Sequence, residues 1–166
     1  MRLKKYSYEK KIIIGKKIKQ ICKNNNVKFL VNESPELSKK LMADGCHLGQ
    51  KDMNIIKARK IIGNKIIGIT CHNSINLAKA AIKEKANYIA FGAFFSTKTK
   101  KVKHLATTKI LYKVKKLTRI PLVAIGGINL SNYKKLLLNN ANLLAISSYV
   151  WNNKKYKPFE AIEKIK

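Results

Sequence analysis

Glu33 and Asp52 are conspicuous because carboxylates are scarce, with eight Asp and Glu against 36 Lys and Arg in 166 residues. Each follows a strand-like segment, Glu33 after Val27-Lys28-Phe29-Leu30-Val31 and Asp52 after Cys46-His47-Leu48. Two such carboxylates suit Mg²⁺ bound to a diphosphate, since that ion takes one or two protein carboxylates and fills its shell with water and phosphate oxygens. Thr97-Lys98-Thr99-Lys100 adds hydroxyl and ammonium groups able to clamp diphosphate oxygens and stabilise charge on a leaving group. Gly126-Gly127 and Ser147-Ser148 each follow an apolar run and offer backbone N–H groups to a phosphate. Every one of these features also has a plainer reading. Glu33 fits a helix-start charge, Asp52 a cap near Asn54, the Thr-Lys segment a solvated basic loop, and the glycine pair a tight turn. His47 and His72 have no partner at ligand spacing and read as packed or hydrogen-bonded histidines.

The elements that must position these groups are short apolar strands alternating with helix-length segments. Strands are expected at Val27 to Val31, Cys46 to Leu48, Ile66 to Ile69, Tyr88 to Phe91, Leu122 to Ile125 and Leu143 to Ile146, each apolar and largely β-branched or aromatic. Helices are expected at Glu9 to Lys23, Pro35 to Ala43, Asn54 to Ile62, Ser74 to Lys85, Thr107 to Leu117, Ser131 to Leu138 and Pro158 to Lys166. Ser34-Pro35, Ser74 and Ser131 offer cap chemistry at three of their starts. Such alternation predicts an α/β parallel barrel, whose strand ends gather on one face, and phosphate sites often sit after its last two strands. The expectation is a TIM-type (β/α)8 barrel in a single domain over residues 1–166. The chain is shorter than the roughly 250 residues typical of a complete barrel.

Composition bounds the function loosely. The formal net charge of +28 points to polyanions or phosphorylated substrates, but Lys dominates and is accompanied by abundant Ile and Asn. All three have codons rich in A and T, so drift in base composition is the better account of the excess. No aromatic residues interleave with a basic surface to suggest specific nucleic-acid binding. Cys22, Cys46 and Cys71 form no CxxC pair, which argues against a zinc site or a disulfide framework and fits a reducing cytoplasm. Apolar runs are too short to span a bilayer, so no membrane partner is expected.

Taken in order, Asn32-Glu33, His47-Leu48-Gly49-Gln50-Lys51-Asp52, Thr97-Lys98-Thr99-Lys100 and Ile125-Gly126-Gly127-Ile128 resemble the signatures of the thiamine-phosphate synthase and thiazole tautomerase family. Gly68-Ile69-Thr70-Cys71-His72 is similar to a further family segment and puts Thr70 at its hydroxyl position. The resemblance implies Mg²⁺-dependent coupling of hydroxymethylpyrimidine diphosphate with a thiazole phosphate, giving thiamine phosphate and pyrophosphate. It implies Mg²⁺ on Glu33 and Asp52, and the pyrimidine diphosphate on Asn32, Thr70 and Lys100. Thr97, Thr99, Gly127 and Ser148 are implied for the thiazole phosphate, with Thr70 and Lys100 in catalytic roles. A tautomerase needs the thiazole-phosphate pocket but no metal-diphosphate clamp, so Glu33, Asp52 and Lys100 favour the synthase. A degenerate, non-catalytic barrel or a basic binding module are the remaining alternatives.

Two departures from the family pattern stand out. Glu33 replaces the family's Asp, which adds a methylene to a metal ligand. Near the start, Arg2 and Lys4 match the last two positions of the family's Gln-x-Arg-x-Lys strand and join the substrate-binding set, while its Gln falls before Met1. The expectation is therefore a barrel truncated at the N-terminus, with strand one absent, strand two limited to Met1 to about Lys5, and an open seam at which copies self-associate.

Overall fold

The computed structural model describes residues 1–96 and 105–165. Six parallel strands follow one another in chain order: β1 Leu30–Asn32, β2 Gly45–Leu48, β3 Ile66–Thr70, β4 Tyr88–Phe91, β5 Leu122–Ile125 and β6 Leu143–Ala145. Around them lie α1 Tyr8–Asn24, α2 Pro35–Lys40, α3 Ile55–Ile62, α4 Ile75–Lys83, α5 Thr108–Lys115, α6 Tyr133–Leu138, α7 Ser148–Trp151 and α8 Pro158–Glu163. The chain forms two compact units, one from Met1–Ile69 with Glu84–Asn87 and the other from Thr70–Lys83 with Tyr88–Lys166.

In the first unit the register pairs Asn32 with His47 and His47 with Gly68, so β1, β2 and β3 end side by side. Phe29, Val31, Leu37, Leu41 and Ala43 are buried together, with Ile12, Ile18 and Cys22 of α1 packed against them. Buried Ser38 ties α2 to the sheet by donating to the Gly45 carbonyl at 2.8 Å. In the second unit Ile89 pairs with Leu122 and Ile125 with Ala145, which aligns the loops after β5 and β6. Ile110, Leu111 and Val114 form the buried stripe of α5, spaced as one face of a helix demands.

One device recurs at the opposite ends of the strands. Asp44, Asn87 and Asn142 each stand just before β2, β4 and β6, and each follows a buried alanine, Ala43, Ala86 or Ala141. The Asp44 carboxylate accepts from Phe29 N–H at 2.8 Å, the Asn87 side-chain oxygen from Ile67 N–H at 2.8 Å, and that of Asn142 from Leu122 N–H at 2.9 Å. Their own N–H groups donate back to the carbonyls of Phe29, Ile67 and Leu122. A short oxygen-bearing side chain thus satisfies an N–H at or next to the start of the preceding strand. Arg59 reinforces the second clamp, donating to Asn87 Oδ1 at 2.9 Å and to the Gly63 carbonyl at 2.8 Å.

Asp44 is the charged member of the trio. Its bond from Phe29 N–H is the main reason its carboxyl sits below the ordinary range, against burial and with help from Lys28 and Lys65. A lowered folded-state value stabilises the fold above the unfolded value of about 3.9 and loses that contribution as pH falls through the folded one. Asp44→Ala is expected to cost about 1–3 kcal/mol, because Phe29 N–H loses its acceptor. Asp44→Asn keeps an acceptor, as Asn87 and Asn142 do, and should stay near wild type at pH 7 while losing less on acidification. Urea unfolding of the three proteins at pH 7 and pH 3 measures both effects.

Several boundaries differ from expectation. β1 starts at Leu30 rather than Val27, because Val27 N–H still donates to Cys22 O at the end of α1 and Lys28 reaches Asp44. α2 stops at Lys40 rather than Ala43, since Met42 adopts φ +50° and Ala43 N–H turns back to Ser38 O. Ser34 and Ser74 cap α2 and α4 as expected, accepting from Leu37 and Leu77 N–H. Ser131 does not cap: its N–H and hydroxyl donate to Asn129 Oδ1, and α6 begins after Asn132. The strand expected from Met1 to about Lys5 is reduced to Met1, which donates to Leu30 O and accepts from Asn32 N–H before the chain turns at Lys4 and Lys5.

Candidate active site

The first unit brings Arg2, Lys4, Asn32 and Glu33 to one cleft of about 120 Å³, whose lining also includes Lys11 and Ser34. Asn32 closes β1, and the chain then turns sharply: Glu33 N–H donates to His47 O at 2.8 Å and Ser34 N–H to Asn32 O at 2.9 Å. Glu33 holds φ at +71°, a left-handed conformation uncommon for a side chain without a local hydrogen-bonding role. Its Oε1 accepts from Arg2 Nε at 2.9 Å and lies 3.6 Å from Lys4 Nζ. Burial pushes the Glu33 carboxyl up, but the Arg2 bond and charge together with Lys4 outweigh it and hold the group below its ordinary value. Glu33 is thus ionised and already engaged with the two cations assigned to substrate. Since those cations are 53% and 60% exposed, the pairing is worth at most about 1 kcal/mol and leaves both free to change partner.

Asp52 lies in the same unit, in the turn after β2. Its Oδ2 accepts from Gly49 N–H at 2.6 Å, while Asp52 N–H donates to Gly49 O at 3.1 Å. Asn54, not Asp52, caps α3 by accepting from Lys57 N–H at 2.9 Å. Relieved of capping, Asp52 carries a second carboxylate oxygen, Oδ1, beside the Oδ2 that holds the turn. Burial lowers the pKa of His47 against the pull of Asp52, so the ring is neutral at pH 7. The residue is half-buried and has a partner.

In the second unit Thr70 ends β3, half-buried and engaged with a partner. Gly126 and Gly127 follow β5 with φ of +99° and +66°. Asn132 latches this turn, donating from Nδ2 to Gly127 O at 3.0 Å and accepting from Asn129 N–H at 2.9 Å. A Cβ on Gly127 would stand 2.5 Å from Ser96 O and 2.8 Å from Phe95 Cβ, so the neighbouring segment leaves no room for one. Ser148 opens α7 just beyond β6, and the β5–β6 register places that opening beside the glycine turn. Thr97, Thr99 and Lys100 lie outside the described residues.

A family model described as thiamine monophosphate synthase matches residues 1–150. The chain belongs to this family. It is 68% identical over 166 residues to a thiamine-phosphate synthase of Pelagibacter ubique, covering all of this chain and 80% of that one. A thiamine-phosphate synthase of Rhodospirillum centenum is 39% identical over 137 residues, covering 82% of this chain and 66% of the relative. Among solved structures, a thiamine phosphate pyrophosphorylase from Pyrococcus furiosus superposes with a TM-score of 0.90 at 30% identity, over 99% of this chain and 78% of that one. That likeness establishes an α/β fold of the TIM-barrel type, with six described strands where a complete barrel has eight. Thiamine-phosphate synthases are transferases of thiamine biosynthesis, and this chain is one of that family.

The family implies Mg²⁺, and the donor set of the first unit fits it. Glu33 and Asp52 are hard oxygen donors of the kind such an ion takes when phosphate and water supply the rest. Asp52 offers Oδ1 beside the Oδ2 that accepts from Gly49 N–H, and Glu33 offers Oε2 beside the Oε1 that meets Arg2 and Lys4. No group of three His, Cys, Asp or Glu residues gathers among the described residues, which excludes there an all-protein cage of the zinc or calcium kind. Sequence reasoning missed Lys11, which reaches the cleft from the first turn of α1. In a chain this rich in lysine, nothing local marks one lysine from another. The Asn129–Asn132 latch was equally hidden, although Asn at both positions of a turn before a helix is a detectable signal.

Proposed function

We propose that this chain, acting as one barrel domain, joins hydroxymethylpyrimidine diphosphate to a thiazole phosphate and releases pyrophosphate. The observation that carries the reading is the 68% identity across all 166 residues to a thiamine-phosphate synthase. Carboxylates at Glu33 and Asp52 and the crowded glycine turn at Gly127 support it.

In this mechanism Arg2, Lys4, Asn32, Thr70 and Lys100 hold the pyrimidine diphosphate, and Thr97, Thr99, Gly127 and Ser148 hold the thiazole phosphate. Glu33 and Asp52 hold Mg²⁺, which when bound neutralises diphosphate charge. The bond from the pyrimidine methylene carbon to the diphosphate oxygen breaks, and its electron pair leaves with pyrophosphate. The thiazole nitrogen then donates its lone pair to that carbon, forming the new C–N bond. No side chain becomes covalently attached. The protein contributes by holding two substrates at attack distance and by placing cations where charge develops on the leaving group.

Cytoplasm is the compartment we assign to this chemistry. The free thiols support it: burial raises Cys46 to about 11 and Cys71 to about 12, so both stay protonated and unreactive at neutral pH. No helix among the described residues is long and apolar enough to cross a membrane. Self-association through β6 belongs to the same proposal, with Leu143, Trp151 and Phe159 exposed nearby in the chain, and sedimentation reads it directly.

Purified protein mixed with both substrates is expected to form thiamine phosphate and pyrophosphate with Mg²⁺ and to stop when EDTA removes it. Absence of product with Mg²⁺ present would overturn the reading. Isomerisation of the thiazole phosphate without coupling would assign the chain to tautomerase chemistry instead.

A further inference from the structure

We infer that Lys11 is a substrate-binding residue for the diphosphate, the third cation of the cleft and the one whose charge is left for the ligand. The inference rests on the synthase reading for the identity of the anion, and on the geometry of the first unit for the residue.

Three cationic side chains, Arg2, Lys4 and Lys11, line the cleft against one carboxylate, Glu33, while the Met1 ammonium beside them is committed to Leu30 O. Arg2 and Lys4 both spend their charge on Glu33 Oε1. Ser34, the neutral donor beside them, is committed to α2, accepting from Leu37 N–H and donating to Glu36. Lys11 has no carboxylate within ion-pair distance among the described residues. It is half-buried at the lining of the cleft, with its stem packed and its ammonium without a counterion among those residues. Uncompensated positive charge in a concave site favours a multiply charged oxyanion. The backbone of α1 supports the placement: Lys11 N–H donates to Ser7 O at 3.0 Å in the first turn, which fixes the backbone from which the side chain reaches the cleft.

Glu33 completes the argument, because its Oε1 occupies the guanidinium and one ammonium. A diphosphate entering the cleft must exchange with Glu33 for Arg2 and Lys4, whereas Lys11 binds it without displacing anything. Lys11 therefore gives the first contact, and its loss falls on diphosphate affinity rather than on the thiazole phosphate.

Calorimetric titration of inorganic pyrophosphate with Mg²⁺ into wild type, Lys11→Met, Lys11→Arg and the control Lys10→Met tests this. Lys10 is exposed and lies over the Tyr6 ring, so its variant removes the same formal charge beside the cleft. Lys11→Met is expected to weaken pyrophosphate about tenfold, the size of one charge-assisted hydrogen bond, with Lys11→Arg recovering most of it and Lys10→Met near wild type. In steady state the KM for the pyrimidine diphosphate rises by a similar factor while that for the thiazole phosphate holds. Equal pyrophosphate affinity in wild type and Lys11→Met, or an equal loss in Lys10→Met, would overturn the inference. These outcomes are independent of product formation by wild type, so failure of the synthase reading is recognised separately.

Discussion

Asp52→Asn is expected to lower kcat/KM for thiamine-phosphate formation by about 10²-fold or more while leaving the fold intact. The carboxamide keeps an oxygen to accept from Gly49 N–H, the bond that holds the turn after β2 at 2.6 Å. It removes the anionic oxygen that a hard cation requires, and charge stabilisation at a leaving group is commonly worth several kcal/mol of barrier. Unchanged circular dichroism and thermal unfolding beside a collapsed rate would support the metal role. A near-normal rate would remove Asp52 from it. Lys100→Ala should give a comparable loss if its ammonium meets the departing pyrophosphate.

Gly127 carries the second large effect, and it is one of stability before it is one of binding. At φ +66° any side chain is strained, and the built Cβ position lies 2.5 Å from Ser96 O and 2.8 Å from Phe95 Cβ and O. These are backbone atoms and the root of a side chain, which cannot move aside alone. Gly127→Ala is expected to destabilise the protein by about 2–4 kcal/mol, combining left-handed strain with overpacking, and Gly127→Val to leave little folded protein. Urea unfolding of the Ala variant measures the cost. A change under about 0.5 kcal/mol would mean that the turn opens easily, against the crowding by Phe95 and Ser96. In the Ala variant that remains folded, weaker binding of thiazole phosphate by calorimetry is the expected sign of a phosphate turn, since a methyl group blocks approach to the N–H groups.

Exchange at Glu33 links these effects to the departure from the family's Asp. A longer side chain lets Oε1 reach Arg2 at 2.9 Å, placing a carboxylate where the diphosphate would otherwise find free cations. The ion pair is exposed and weak, so on the proposed function the diphosphate exchanges for it at little cost.

Strand and helix alternation was legible in the sequence because its causes are short-range. Apolar β-branched runs such as Leu122-Val123-Ala124-Ile125 and the Ser-Pro start of α2 declare themselves within a few residues. The signatures at the strand ends were legible for the same reason, and they sufficed for the family. α7 was missed: Ser148-Tyr149-Val150-Trp151 is β-branched and aromatic, yet it forms a helical turn. Ser131 misled in the same way, since the hydroxyl that a cap requires was taken by Asn129 only two residues away.

Sequence alone determined the order of elements, the family and the residue types available at the strand ends, all of which follow from local propensity and spacing. Tertiary structure decided who bonds to whom. Arg2 meets Glu33 across 31 residues and Phe29 meets Asp44 across 15, contacts set by which strand lies beside which and in what register. The Asx clamp illustrates the division, for Ala-Asx before a strand is visible three times in the chain, but its purpose appears only when folding sets it against an N–H at or next to the start of the preceding strand. The same holds for Lys11, which is one lysine among many until folding places it in a cleft whose only carboxylate is already shared.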